Sequence, residues 1–282
     1  MTADRLILAA GTFGTGFLML KNRASFPGLS ERPGHFFSGN GDYLGLFLDA
    51  KDEIEGKAVP RLLAPSHGSV ITSTVRVPDS RDEGGTGPGY YIQNGGYPGF
   101  VDWLVEASND GELHRALRFI GHEVMGWFAG DKKSDVDQEL ERLIGDARAS
   151  SSTLPVLGMG LDTPGGRLTL DDRQFLELSW RPEDSQEYFD RVKAAMGDLA
   201  KHLGARFLGD PLDHIGKKVT VHPLGGCSMG NSAEEGVVDV NGEVFGYPGF
   251  VIADGSVMPG PVGPNPSFTI AALADRVADH LT

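Results

Sequence analysis

The stretch RLILAAGTFGTGFLML, residues 5–20, decides how the rest of the chain is read. RLILAA is a short apolar run without alternation, the pattern of a parallel strand covered on both faces. GTFGTG breaks the run, and FLMLKNRA that follows has helical character. The segment therefore predicts a strand, a glycine turn and a helix, beginning four residues into the chain. A strand of that kind needs parallel neighbours, so the expectation is that the start is truncated. The run is too short to span a bilayer and has no cleavage pattern behind it, so it is not read as a signal peptide.

Working outward, the 282 residues can bury a sizeable core, as one large domain or two. Lysines and arginines number 25 against 39 aspartates and glutamates, a net charge of −14 that argues against a polyanion partner, so no nucleic acid is expected. One cysteine excludes an intramolecular disulfide framework and any cysteine-rich zinc site. Residues 60–77 and 89–93 read as strands. Helical spacing runs from 98 to 148, through Leu113, Leu117, Ile120, Val124 and Phe128 and then Val136, Leu140 and Leu143. GMGLDTPGGRLTLD and FLELSW read as strands, and Phe189, Val192, Met196, Leu199 and Leu203 mark a long amphipathic helix after Pro182. Short strands are expected around the Asn241-Gly242 turn. At the end, Asn265 as N-cap and Pro266 at N1 open a helix with Ile270, Leu273, Val277 and Leu281 on one face.

The chemistry-bearing stretch is VTVHPLGGCSMG, residues 219–230, with the single cysteine five positions after a histidine. Cys227 has no basic residue near it and no resolving cysteine, so it reads as a small buried thiol. On local sequence His222 is open between a core histidine and a catalytic one. No second ligand at metal spacing lies near it, and His122-Glu123 lacks the second histidine of a zinc-protease motif, so no metal is expected. No G-x-G-x-x-G occurs: GTFGTG has its glycines in the wrong order and GNGDYLG lacks the last one. The last helix follows GPVGPNPS, which leaves backbone N–H groups and the positive dipole end free for an anion.

HPLGGCSMG, GEVFGYPGFVIADGSVMPG and VGPNPSFTIAALADRVADHL, in that order and spacing, resemble the C-terminal flavin-binding segment of the glucose–methanol–choline (GMC) oxidoreductases, most of all their cholesterol oxidase branch. RLILAAGTFGTGFLML resembles the unit that returns the chain to the FAD domain. The resemblance is specific over 219–281, weaker over 4–48 and loose between. It implies an α/β fold, with residues 1–50 and 215–282 forming part of a FAD-binding domain and 51–214 a sheet-and-helix substrate-binding domain. It implies FAD as cofactor, with His222 and Asn265 facing the flavin and the substrate hydroxyl. Asp254 and Gly255 of ADGS fall where the family contacts the ribityl and diphosphate region. Asn265, Pro266 and Ser267 fall near the pyrimidine side of the flavin ring. An imidazole can take or position a proton, an asparagine amide can donate to a developing oxyanion, and the flavin carries the hydride.

The function this implies is FAD-dependent oxidation of a hydrophobic secondary alcohol, with a 3β-hydroxysteroid such as cholesterol as candidate. Two alternatives stay open: a GMC dehydrogenase for another alcohol, and a non-catalytic fragment. A loose alignment of GYYIQNGGYPGFVDWL sets Ile92 or Gln93 at the glutamate used for steroid double-bond migration, and neither titrates. The expected partners are the small-molecule alcohol and the N-terminal half, with membrane contact at most transient. The expected location is cytoplasmic.

Overall fold

The computed structural model describes residues 3–60, 71–81, 85, 87–95, 154–210, 213 and 218–281. The helical spacing read between 98 and 148 lies outside the described residues. The strand and helix of the opening segment form, but the glycine turn does not: β1 (Leu6–Leu8) is followed by α1 (Gly11–Lys21), which takes in GTFGTG itself, Gly11 opening it at a φ of 73°. β1 pairs in parallel with β11 (Phe250–Ile252), Leu6 facing Phe250 and Leu8 facing Ile252. Burial departs from the expectation. Leu6 and Ile7 are 46% and 52% exposed, because β11 is the only strand paired with β1 among the described residues.

A five-stranded antiparallel sheet forms the second layer. Its order is β10 (Arg206–Gly209), β2 (Tyr43–Leu48), β7 (Leu154–Gly160), β6 (Tyr90–Asn94) and β5 (Thr74–Val77). The register puts Tyr43–Leu48 inside this sheet, between β10 and β7. The physical reason is pattern: YLGLFL is apolar on both faces, as a central strand requires. α2 (Gln186–His202) packs on one side, burying Tyr188, Phe189, Val192, Met196 and Ala200 against Tyr43, Phe47, Tyr90, Ile92 and Val156. At about 1.5–3 kcal/mol for each large apolar side chain, this face alone holds the helix in place. Gly158 of β7 permits the approach, since a Cβ there would lie 2.5 Å from Val192.

Two hairpins complete the described strands. β3 (Lys51–Ile54) and β4 (Lys57–Pro60) join through Glu55 and Gly56, both at positive φ as a primed two-residue turn needs. β8 (Arg167–Leu170) and β9 (Leu176–Ser179) pack Leu168 onto α1 and the glycines around it. The expected strands around Asn241-Gly242 are isolated bridges, Val238 to Val244 and Glu243 to Val251, with only β11 extended. A second core gathers Met19, Cys227, Val237, Val238, Val244, Ile252 and Val257. α3 (Ser267–Leu281) begins one residue later than read, the Pro266 carbonyl accepting its first i→i−4 bond from Ile270 at 2.9 Å.

Candidate active site

The three C-terminal motifs meet at one place. Residues 225–229 run beside 255–257 with backbone bonds from Gly225 N to Gly255 O (3.1 Å), Cys227 N to Ser256 O (2.9 Å) and Met229 N to Val257 O (2.8 Å). A Cβ on Gly255 would lie 3.1 Å from Ile270 Cδ1 and 3.4 Å from Leu224 Cδ2, so HPLGG, ADGS and α3 touch across that glycine. On its other side the HPLGG segment pairs with residues 34–38, through Leu224 and Ser38 in both directions and Gly226 N to His35 O.

Asp254 is nearly buried, and its carboxylate is engaged by the protein. Oδ1 accepts from Ser256 N at 2.8 Å; Oδ2 accepts from Gly11 N at 3.0 Å and from the Thr15 hydroxyl. Asp254 thus caps a short 3-10 turn (Gly255–Val257) and, across 243 residues, the N-terminus of α1. One lone-pair position remains for an outside donor. Pro266 is buried, Asn265 half-buried and Ser267 exposed at the mouth of α3.

His222 has a partner that sequence reasoning did not find. Asp42 Oδ1 lies 2.8 Å from His222 Nδ1, and Asp42 Oδ2 accepts from His222 N at 3.0 Å, Val221 N at 2.7 Å and Thr220 Oγ1 at 3.1 Å. The Asp42 side chain is fully buried and that of His222 is 15% exposed. A carboxylate accepts, so Nδ1 is the donor in this contact and Nε2 is the ring nitrogen left for an outside partner. Asp42 belongs to GNGDYLG, a segment legible only as a failed glycine motif.

Beneath Asp42 sits a second buried carboxylate. Asp162 accepts from the Ser38 hydroxyl and from Gly39 N at 3.0 Å. Burial pushes its carboxyl up to about 6; the bonds from Ser38, Gly39 and Gly41 oppose the rise and the nearby Asp42 charge adds to it. Cys227 is fully buried, and burial followed by the Asp254 charge pushes its thiol up to about 12, which makes it a packing residue.

Of the two positions aligned on the sheet, Ile92 lies in the core under α2. Gln93 points to the opposite face, by strand alternation, and its buried Oε1 has no hydrogen-bond partner among the described residues. A cavity of about 250 Å³ opens beside Val262, Gly263 and Pro264, with Arg76, Tyr91 and Leu161 also in its wall. Among the described residues no helix is long and apolar enough to cross a membrane.

Residues 168–274 match the family model for the GMC oxidoreductase C-terminal domain. A cholesterol oxidase of Mycobacterium tuberculosis (strain CDC 1551 / Oshkosh) is 26% identical over 291 residues, covering 98% of this chain and 46% of the relative. A long-chain-alcohol oxidase of Arabidopsis thaliana is 35% identical over 99 residues, which is 35% of this chain and 12% of the relative. Pyridoxine 4-oxidase from Mesorbium loti shares the fold with a TM-score of 0.61 at 17% identity, over 99% of this chain and 52% of that one. The chain spans about half the length of the cholesterol oxidase it matches. The matched segment holds His222, Asp254 and Asn265, and this part of the chain is similar to the C-terminal domain of the GMC oxidoreductases.

Proposed function

We propose that the complete polypeptide oxidises a hydrophobic secondary alcohol by FAD-dependent hydride transfer, with a 3β-hydroxysteroid such as cholesterol as the leading substrate. The observation that carries this reading is the 2.8 Å contact of Asp42 with His222 Nδ1, which leaves Nε2 as the acceptor. The residues present suit one side of a flavin. The N–H groups of Ser267, Phe268 and Thr269 precede the first intrahelical donor, Ile270, and offer a positive end and free donors. Val221 and Phe268, next to the two motifs, are exposed and apolar. Asn265, Pro266 and Ser267 would hold the ring edge. Gly255 lets HPLGG and α3 pack against ADGS, and Asp254 would offer its remaining lone pair to a ribityl hydroxyl.

Bound FAD would supply the hydride acceptor. The protein's part is the proton and the oxygen. As the carbinol oxygen becomes a carbonyl, its hydroxyl proton passes to His222 Nε2, and the buried Asp42 carboxylate stabilises the resulting imidazolium. The Asn265 amide donates to the same oxygen while negative charge develops there. Gln93 cannot move a proton, so it would not carry a double-bond migration.

A second reading, oxidation of a long-chain primary alcohol, is favoured by the similarity to the plant long-chain-alcohol oxidase. One experiment separates them: anaerobic mixing of the flavin-loaded complete polypeptide with cholesterol or with 1-dodecanol, following loss of the oxidised-flavin band. Cholesterol should bleach it, and His222→Ala should slow that step by about 10²- to 10⁴-fold. Bleaching by dodecanol alone would favour the second reading. Bleaching by neither, or an unchanged rate in His222→Ala, would reject the assignment.

A further inference from the structure

We propose that Asn40 is a positioning residue for this oxidation: its side chain sets the Val262–Pro264 loop, and through it Asn265, at a fixed place relative to the His222 that Asp42 holds from the same turn. The proposal rests on the roles given above to His222 and Asn265. Asn40 is fully buried. Its Oδ1 accepts from Val262 N at 2.8 Å and Gly263 N at 2.9 Å, and its Nδ2 donates to Pro264 O at 3.0 Å and Gly263 O at 3.5 Å. Every hydrogen-bonding position of the amide is thus spent on one loop, which ends at the residue before Asn265.

The turn itself is anchored without that side chain. Gly160 N donates to Asn40 O at 2.9 Å, Tyr188 Oη donates to Gly41 O at 2.6 Å, and Asn40 N donates to Ser38 Oγ at 3.0 Å. These anchors come from the end of β7, from α2 and from the turn's own entry. The sheet and helix layer therefore carries a rigid turn whose two polar side chains, two residues apart, reach different motifs. Asn40 takes the loop before α3, and Asp42 takes residues 220–222. Drift of one motif against the other requires breaking buried hydrogen bonds in a place without competing water.

Backbone geometry isolates what the side chain adds. Asn40 has a φ of 55° and Gly41 of 64°, the left-handed region. Glycine adopts that region at less cost than asparagine. Replacing Asn40 by glycine therefore keeps the turn's preferred backbone and deletes only the clamp, whereas alanine would add strain.

The test compares wild type, Asn40→Gly, Asn40→Asp and His222→Ala in the flavin-loaded complete polypeptide, with cholesterol as the reducing probe. In Asn40→Gly the Val262 and Gly263 amides should exchange with deuterium at least about tenfold faster, read by mass spectrometry on peptides spanning 259–268. The rate constant of flavin reduction should fall about 10²-fold with KM changed less than about threefold, the signature of misplaced reacting groups rather than lost binding. Asn40→Asp keeps the acceptor and loses the donor to Pro264, so it should lie between the two on both readouts, and it stands in should the glycine variant fail to fold. Unchanged exchange, an unchanged reduction rate, or a rise in KM alone would overturn the proposal. A defect in His222→Ala with normal Asn40 variants would remove this proposal and leave the functional reading standing. A wild-type flavin that cholesterol does not reduce, with dodecanol substituted as probe to the same result, would remove both.

Discussion

Asp42 grips His222 twice, by the ring at Nδ1 (2.8 Å) and by the backbone at N (3.0 Å), from opposite oxygens of one buried carboxylate. The double contact fixes both the tautomer and the ring's place, because turning the imidazole would break Nδ1 away while the backbone bond stays. In the proposed reaction this carboxylate would orient His222 as the base, the part that the buried aspartate plays in a Ser-His-Asp triad.

Asp42→Asn should therefore disable the base while leaving the fold. The amide oxygen can still accept from the backbone N–H groups of Val221 and His222, and the amide nitrogen then meets Nδ1 as a donor. That selects the tautomer whose Nε2 carries the proton. Flavin reduction by the alcohol should slow by about 10²- to 10⁴-fold with near-native circular dichroism. A rate within threefold of wild type would show that Asp42 serves the loop and not the imidazole.

Asp162 predicts a pH dependence of stability. Its carboxyl is raised from 3.8 to about 6, chiefly by burial. A group whose pKa is higher folded than unfolded contributes stability that is complete below the unfolded value and is lost as pH rises through the folded one. Between about pH 5 and pH 7.5 this residue should remove roughly 1–2 kcal/mol of folding free energy. Asp162→Asn forfeits a hydrogen bond from Gly39 or Ser38 at every pH, so the diagnostic is the difference: denaturant midpoints of wild type should decline across this interval by more than those of the variant. Equal declines would mean that Asp162 is ionised throughout.

Two glycines at similar φ should respond unequally to alanine. Gly56, at 73°, has nothing within 4 Å of an added Cβ, so Gly56→Ala should cost only the left-handed strain, about 1–2 kcal/mol. Gly225, at 81° in HPLGG, would put its Cβ 2.1 Å from Phe36 O. Neither backbone can yield, since Leu224 and Gly226 are bonded to residues 34–38 on that side. Gly225→Ala should cost at least about 3 kcal/mol more than Gly56→Ala and give little folded protein. Thermal melts of the pair decide it.

Cys227 should be inert. Buried beside Ser256 with its thiol pushed up to about 12, it should react with an aromatic disulfide reagent only after denaturation. Cys227→Ala should leave the rate of flavin reduction within about twofold while losing about 1 kcal/mol of packing. Rapid labelling of the native protein would contradict the burial.

What the sequence determined by itself is local in origin. A strand and a helix within residues 5–20 follow from the apolar run, although GTFGTG joins the helix instead of forming a turn, and α2 follows from the spacing of Phe189, Val192 and Met196, all of which are buried. His222, Asp254, Gly255 and Asn265 were singled out by the resemblance of their short motifs to a known family, since local pattern left His222 open between a core and a catalytic histidine. Only tertiary structure decided what those residues touch. Asp42 lies 180 positions from His222, Asn40 222 from Val262, and Asp254 243 from Gly11, and no periodicity links such pairs. Nor could pattern say that YLGLFL would join strands from 154–160 and 206–209, or that Leu6 and Ile7 would be left half-exposed. Hydrophobic spacing encodes which face of an element is buried, while pairing between distant segments depends on which buried polar groups find partners once the layers close.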